Sequence, residues 1–163
     1  MEDIYFFYHG QKNYFIFFNN IVFPFCLQSN NILLNESRHF ENNSWNKFNS
    51  LNFTFTVSDI NNYYDFFLVI EHTSQLKIKI LPISFYFYTP SGETRTLSYY
   101  LRLINNEGNY KGEKTGDSWR YTVPLRKHFR FQEKGTAKIE IVNQLTKLET
   151  PEFIKVELII KKQ

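Results

Sequence analysis

Chemistry needs titratable or nucleophilic side chains held at fixed spacing, and this sequence offers few. The four histidines, His9, His39, His72 and His128, stand apart from one another, and none shares a ligand spacing with a second His, Cys or carboxylate. Serines and threonines are numerous, but no Gly-x-Ser-x-Gly elbow occurs, and the loop from Gly108 to Gly116 lacks the Gly-Lys-Ser/Thr of a phosphate cradle. Glu71, Glu93, Glu113 and Asp117 would serve acid-base work on a glycoside only if folding held two of them about 5 to 9.5 Å apart, which sequence spacing alone does not establish. The expectation is a non-enzymatic chain with no catalytic residue, no metal and no cofactor.

Two other residue types carry chemistry of a different kind. The single cysteine, Cys26, cannot form an intrachain disulfide, but it follows the apolar run Tyr14–Phe25, which is too short for a membrane span of about 20 residues. A cysteine in that position fits a bacterial lipoprotein signal, in which the thiol is acylated and the preceding peptide removed. Phe25 stands where such signals carry Gly, Ala or Ser, and Glu2 and Asp3 give the leading segment the wrong sign. The second group is aromatic: Tyr86, Tyr88, Tyr99, Trp119 and Tyr121 form a possible interaction surface, since exposed rings on a flat sheet stack on sugars or grip a protein partner. The plainer role for the same rings is core filling and cross-strand pairing.

The elements that must position these groups are strands. Of 163 residues 42% are hydrophobic and 19% aromatic, with 18 Phe and 11 Tyr, a composition that suits pleated, half-buried surfaces in one domain. A net charge of +3, from 19 basic and 16 acidic residues scattered in both signs, provides no concentrated field for nucleic acid. Leu51-Asn-Phe-Thr-Phe-Thr-Val57 alternates with period two, Tyr63 to Glu71 reads as a strand buried on both faces, and Lys77 to Tyr88 continues through Pro82, which belongs at an edge, a bulge or a strand end. Pro90-Ser-Gly-Glu93 turns the chain into a hairpin with Thr94–Ile104, and Tyr110 to Asp117 is a polar loop. Trp119–Leu125, Ala137–Val142 and Phe153–Ile160 complete the set, with Ile154, Val156, Leu158 and Ile160 sharing one face; Asn143–Thr150 is expected as a short helical turn and Trp45 as a core plug. The fold class expected is all-β, an antiparallel β-sandwich, jelly-roll or Ig-like, of about seven to eight strands. Residues 1–26 read as a signal or lipoprotein-like segment, 27–37 as a tether and 38–163 as a single β-sandwich domain.

The order of residues resembles the gliding-motility lipoprotein GldH family of the Bacteroidota. The likeness rests on Phe40, Trp45 and Lys47 ahead of Leu51-x-Phe-x-Phe, then Tyr64-Asp-Phe-Phe-Leu-Val-Ile-Glu-His72 and Leu81-Pro-Ile-Ser-Phe-Tyr-Phe87. It continues through Pro90-x-Gly-Glu, Gly108-x-Tyr-x-Gly112, Gly116-Asp117, Gly135 before Ile139-x-Ile, and Ile154-x-Val-x-Leu-x-Ile160. The resemblance implies a lipoprotein anchored in the cell envelope through Cys26 and facing the periplasm. It also implies a structural or interaction role beside other motility and secretion proteins, without catalysis. A carbohydrate-binding β-sandwich module of the cell envelope, with a glycan as partner, is the alternative.

Overall fold

The computed structural model describes residues 14–18, 21–25 and 31–163. The chain divides into two compact units, the first ending at Asn30 and the second running from Asn31 to Gln163. In the first, β1 (Tyr14–Phe18) and β2 (Ile21–Phe25) pair antiparallel from Tyr14↔Phe25 to Phe18↔Ile21. Cys26, the expected attachment point, and residues 27–30 of the expected tether lie outside the described residues.

The second unit is a sandwich whose long strands are β3 (Ile32–His39), β5 (Leu51–Val57), β6 (Tyr64–Thr73), β7 (Ile80–Tyr88), β8 (Thr94–Arg102), β10 (Ser118–Phe129), β11 (Gly135–Asn143) and β13 (Phe153–Lys162). Three short strands, β4 (Ser44–Asn46), β9 (Glu113–Thr115) and β12 (Glu149–Pro151), and one 3-10 turn at Glu41–Asn43 complete it. One sheet has the order β3-β13-β6-β10-β9 and the other β5-β11-β7-β8; β4 and β12 pair separately. Among the long strands, the first pairs with the last, the second with the seventh, the third with the sixth and the fourth with the fifth, all antiparallel. A long hairpin rolled up on itself pairs in this way, so of the two expected sandwiches the chain forms the jelly roll.

Alternation drives the roll. β5 is buried at every odd residue and β11 at Ala137, Ile139, Ile141 and Asn143, because a strand covered on one face hides every second side chain. Between the sheets Phe66, Phe87, Phe129 and Phe131 pack mostly edge to face at centroid distances from 5.0 to 6.4 Å, each pair contributing about 0.5 to 1.5 kcal/mol beyond area burial. Trp45 is fully buried, stacked 5.0 Å from Phe40 and edge-on to Phe153, with Nε1 donating to the Asn49 carbonyl at 3.1 Å. It plugs the core as expected.

Several local expectations are corrected. Ile32–Ser37 is strand and not tether, because Leu34 faces Ile160 across the β3–β13 ladder and is buried with it. Phe153, not Ile154, joins Val156, Leu158 and Ile160 in the core, since a register shift between Phe153 and Lys155 turns the strand by one residue. The helical turn expected at Asn143–Thr150 is absent; the Asn143 carboxamide accepts from the Leu145 N–H at 2.8 Å instead and starts an irregular loop into β12. The polar loop before Trp119 holds β9, which forms a hairpin with β10 through Thr115↔Ser118. Lys77–Lys79 lies ahead of β7, and Pro82 sits where the β11 ladder ends, its carbonyl taking the Gln144 N–H at 3.0 Å.

Candidate functional site

The five rings expected as one surface are divided among three. Tyr86 and Tyr88 project from the outer face of β7, while Tyr99 turns to the inner face of β8. Tyr99 lies edge-on to Phe85 and its hydroxyl donates to the Leu125 carbonyl at 3.0 Å; burial raises its pKa and keeps it protonated. Trp119 and Tyr121 occupy the inner face of β10, opposite the buried His72 and Ile70. The loop before β9 covers them: Tyr110 packs 5.3 Å from Trp119, and Lys111 lies 5.7 Å over Tyr121. Gly112 makes that close approach possible, since at φ +97° an added Cβ would fall 2.2 Å from the Arg120 carbonyl oxygen.

A sixth ring was missed. Tyr100 is 75% exposed and shares the outer face with Tyr86 and Tyr88, through the pairs Pro82↔Tyr100, Tyr86↔Thr96 and Tyr88↔Thr94. Its signal is parity: Thr94, Thr96, Ser98 and Tyr100 are the polar half of an alternating strand. Extended across the sheet, the same face carries Thr54, Thr56 and Thr136, together with Lys138 and Glu140 beside Tyr88 and Tyr86. These two charges lie 3.9 Å apart, Lys138 rests over the Tyr88 ring, and the Tyr88 hydroxyl donates to Glu140 at 3.4 Å. Burial and then the Glu140 carboxylate raise the Tyr88 pKa, so the phenol stays a donor. The result is a hydroxyl-rich face with three tyrosines on it, charged at Lys138 and Glu140 and, at one corner, at Arg102.

The carboxylates named as candidate acids lie elsewhere. Glu71, on the outer face of the five-stranded sheet, is bound by Lys155 at 3.2 Å and by the Ser118 hydroxyl at 3.0 Å; burial opposes its ionisation, but these partners outweigh it and hold the pKa low. Glu93, in the β7–β8 turn, is held low by two hydrogen bonds from Arg95 at 2.8 Å. Glu113 is on β9 and Asp117 in its turn, both exposed. A general acid needs its pKa raised, and these resolved shifts run the other way.

Among the described residues no three His, Cys, Asp or Glu side chains converge on a point. His72 is fully buried beside Tyr110, its Nδ1 2.8 Å from the Thr73 carbonyl and its Nε2 without a hydrogen-bond partner; burial lowers its pKa against that hydrogen bond, so it is neutral. A cavity of about 400 Å³ at one end of the sandwich is floored by Leu76 and Leu145 and rimmed by Lys77, Lys147 and Glu152. Glu152 is already engaged by the Thr73 hydroxyl, and the lysines are both exposed.

No curated protein sequence matches the chain. Among solved structures it is similar to the VP2 subviral particle of infectious bursal disease virus, at 13% identity and a TM-score of 0.33, over 87% of this chain and 34% of that one. The chain thus spans about a third of the viral protein, and a likeness this slight carries no weight. The family model described as GldH lipoprotein matches residues 32–156, from the start of β3 into β13 and so nearly the whole jelly roll: this chain belongs to the GldH lipoprotein family.

Proposed function

We propose that the chain is a non-catalytic interaction subunit of the bacterial gliding machinery, anchored in the envelope through an acylated Cys26, facing the periplasm and meeting other motility proteins through the outer face of the four-stranded sheet. The observation that carries this reading is the charge-poor tyrosine and threonine surface around Tyr86, Tyr88 and Tyr100. Cores of protein interfaces are depleted in charge and enriched in tyrosine, whereas a bare solvated face would carry lysine and glutamate. Membership in the lipoprotein family supports the anchor.

Cells carrying Cys26→Ala are expected to lose label from a clickable palmitate analogue and to lose colony spreading; retention of label by the variant removes the anchor from the account. A Tyr86→Ser, Tyr100→Ser double variant, matched to wild type in abundance, is expected to lose spreading while keeping the label. Normal spreading by the double variant would overturn the assigned face.

The same three rings support a second reading, a glycan-binding module, because phenol faces stack on sugar rings. Binding on a glycan array that is abolished by the double variant would favour it, and a flat array leaves the protein partner.

A further inference from the structure

The jelly roll has four strand edges, and three of them are interrupted, partly occupied or charged. On β10 the edge beyond β9 carries Pro124, register shifts around Arg126 and a positive φ at His128, which together break any regular ladder. On β5 the Asn52 carbonyl is occupied by the Arg38 guanidinium at 2.6 Å, with the same group lying over Phe53. On β3 the edge holds the Glu36–Arg38 ion pair. The fourth edge, β8, runs nine residues in unbroken register with β7 and has no proline and no bulge.

Which of its backbone groups are unused follows from the ladder. Just beyond one end the Leu103 N–H donates to the Lys79 carbonyl at 2.8 Å, and just before the other the Thr89 N–H donates to Glu93 at 2.9 Å. Hydrogen-bonded pairs alternate along an antiparallel ladder, so the odd residues of β8 bond to β7. Thr94, Thr96, Ser98, Tyr100 and Arg102 therefore turn their N–H and C=O groups outward.

A second feature lies beside that edge. Leu97 points to the inner face yet is 39% exposed, because an apolar cleft of about 60 Å³ opens there between the sheets, lined by Phe66, Phe85, Phe87 and Phe129. Arg95, an inward charge that would ordinarily guard an edge, is folded down onto Phe129 and paired with Glu93. The lips are cationic: Arg95 and Arg126 line the cleft, and neither β8 nor β10 carries an Asp or Glu. Arg102, Arg126 and Lys127 make no ion pair among the described residues.

We propose that the outward edge of β8, over Thr94–Arg102, is a strand-addition site for an extended, acidic segment of a partner protein with apolar side chains at alternate positions. Main-chain bonds to the five outward residues supply the attachment, every second side chain enters the cleft beside Leu97, and the acidic groups meet Arg102 and Arg126. A second copy of this chain is disfavoured as occupant, since β8 against β8 brings two cationic edges together. The proposal rests on the interaction-subunit reading and names the chemistry of its partner.

The test uses the purified full chain and a synthetic peptide of roughly ten residues, alternating valine and threonine between terminal glutamates, long enough to cover β8. Amide exchange is expected to slow about tenfold or more at Thr94, Thr96, Ser98, Tyr100 and Arg102, with the odd residues unchanged. Ser98→Pro removes one outward N–H and no bond to β7, so it should keep the wild-type melting temperature and lose this protection. Arg102→Glu with Arg126→Glu should weaken the glutamate peptide about tenfold and favour a lysine-ended one. Absent or uniform protection, binding retained by a folded Ser98→Pro chain, indifference to the charge reversal, or a peptide-independent dimer through β8 would each overturn the site. Exchange is read in the purified chain and spreading in cells, so a flat exchange profile removes the edge site while leaving the motility reading to its own test.

Discussion

On the outer face of the five-stranded sheet four side chains pair off as ions, Arg120 with Glu157 at 2.8 Å and Lys155 with Glu71 at 3.2 Å, beside Phe67, Ile159 and a Val69 that is 1% exposed. The corresponding positions of the four-stranded sheet hold mainly threonine, serine and tyrosine, with one ion pair at 3.9 Å and Arg102 at one corner. Both faces come from alternating strands in one chain of mixed charge. The first pairs most of its charges internally, and those pairs would have to be desolvated at a cost to be covered by a partner. The second has little charge to desolvate, and its rings and hydroxyls still have unfilled bonding capacity. The interaction face proposed for this fold thus lies where the chain has not spent its own polar groups.

The largest effect expected from breaking this contrast is at Arg120. Arg120→Ala leaves the Glu157 carboxylate, 11% exposed, without its partner, and should cost about 2 kcal/mol in a urea titration, discounted because the arginine is itself 40% exposed. An Arg120→Leu, Glu157→Leu double variant should recover most of that loss, since it leaves no orphaned charge. A loss below about 0.5 kcal/mol for the single variant would mean that the ion lattice does no more than the charge-poor face.

Acid should separate two neighbours on β6 that point to opposite faces. His72 is held neutral below its ordinary 6.5, so as pH falls past that value the unfolded chain takes up a proton that the folded chain refuses. Its contribution is complete above 6.5 and declines below it. Glu71 is held below its ordinary 4.5, so its contribution is present above that pH and is lost as the carboxylate is finally protonated. Stability against pH should show both limbs; His72→Gln removes the upper one and Glu71→Gln the lower one. A single limb unchanged by either variant would break the assignment.

The smallest stability effect is expected at Tyr100. At 75% exposure on the charge-poor face, Tyr100→Ser should leave folding stability within about 0.5 kcal/mol of wild type. A loss several times larger would make Tyr100 a packing residue and weaken the contrast between the faces.

Much of the architecture was legible because period two is a local property. Leu51–Val57, Phe85–Tyr88 and Ala137–Val142 each declare which side faces inward, and Pro90–Glu93 declares its turn, without reference to any distant strand. β3 was not legible: ahead of Asn35, Glu36, Ser37 and Arg38 only Leu34 marks the buried side, and its burial depends on Ile160 more than a hundred residues away. Of the expected interaction rings, Tyr86 and Tyr88 fell together, while Tyr99, Trp119 and Tyr121 were claimed by the interior. Tyr99 and Tyr100 are adjacent in sequence, yet parity alone sends one to the Leu125 carbonyl and the other to solvent.

The amino-acid sequence by itself determined an all-β sandwich, its principal turns and the family to which the chain belongs, since alternation, turn chemistry and residue order are written along the chain. Only the tertiary structure decided that the sandwich is a jelly roll, that Tyr100 joins Tyr86 and Tyr88 on one face and that β8 is an edge strand paired over nine residues without a break. The reason is physical: strand pairing, the covering of one face by another sheet and the blocking of an edge are relations between segments distant in sequence. No local pattern records which distant segment will arrive.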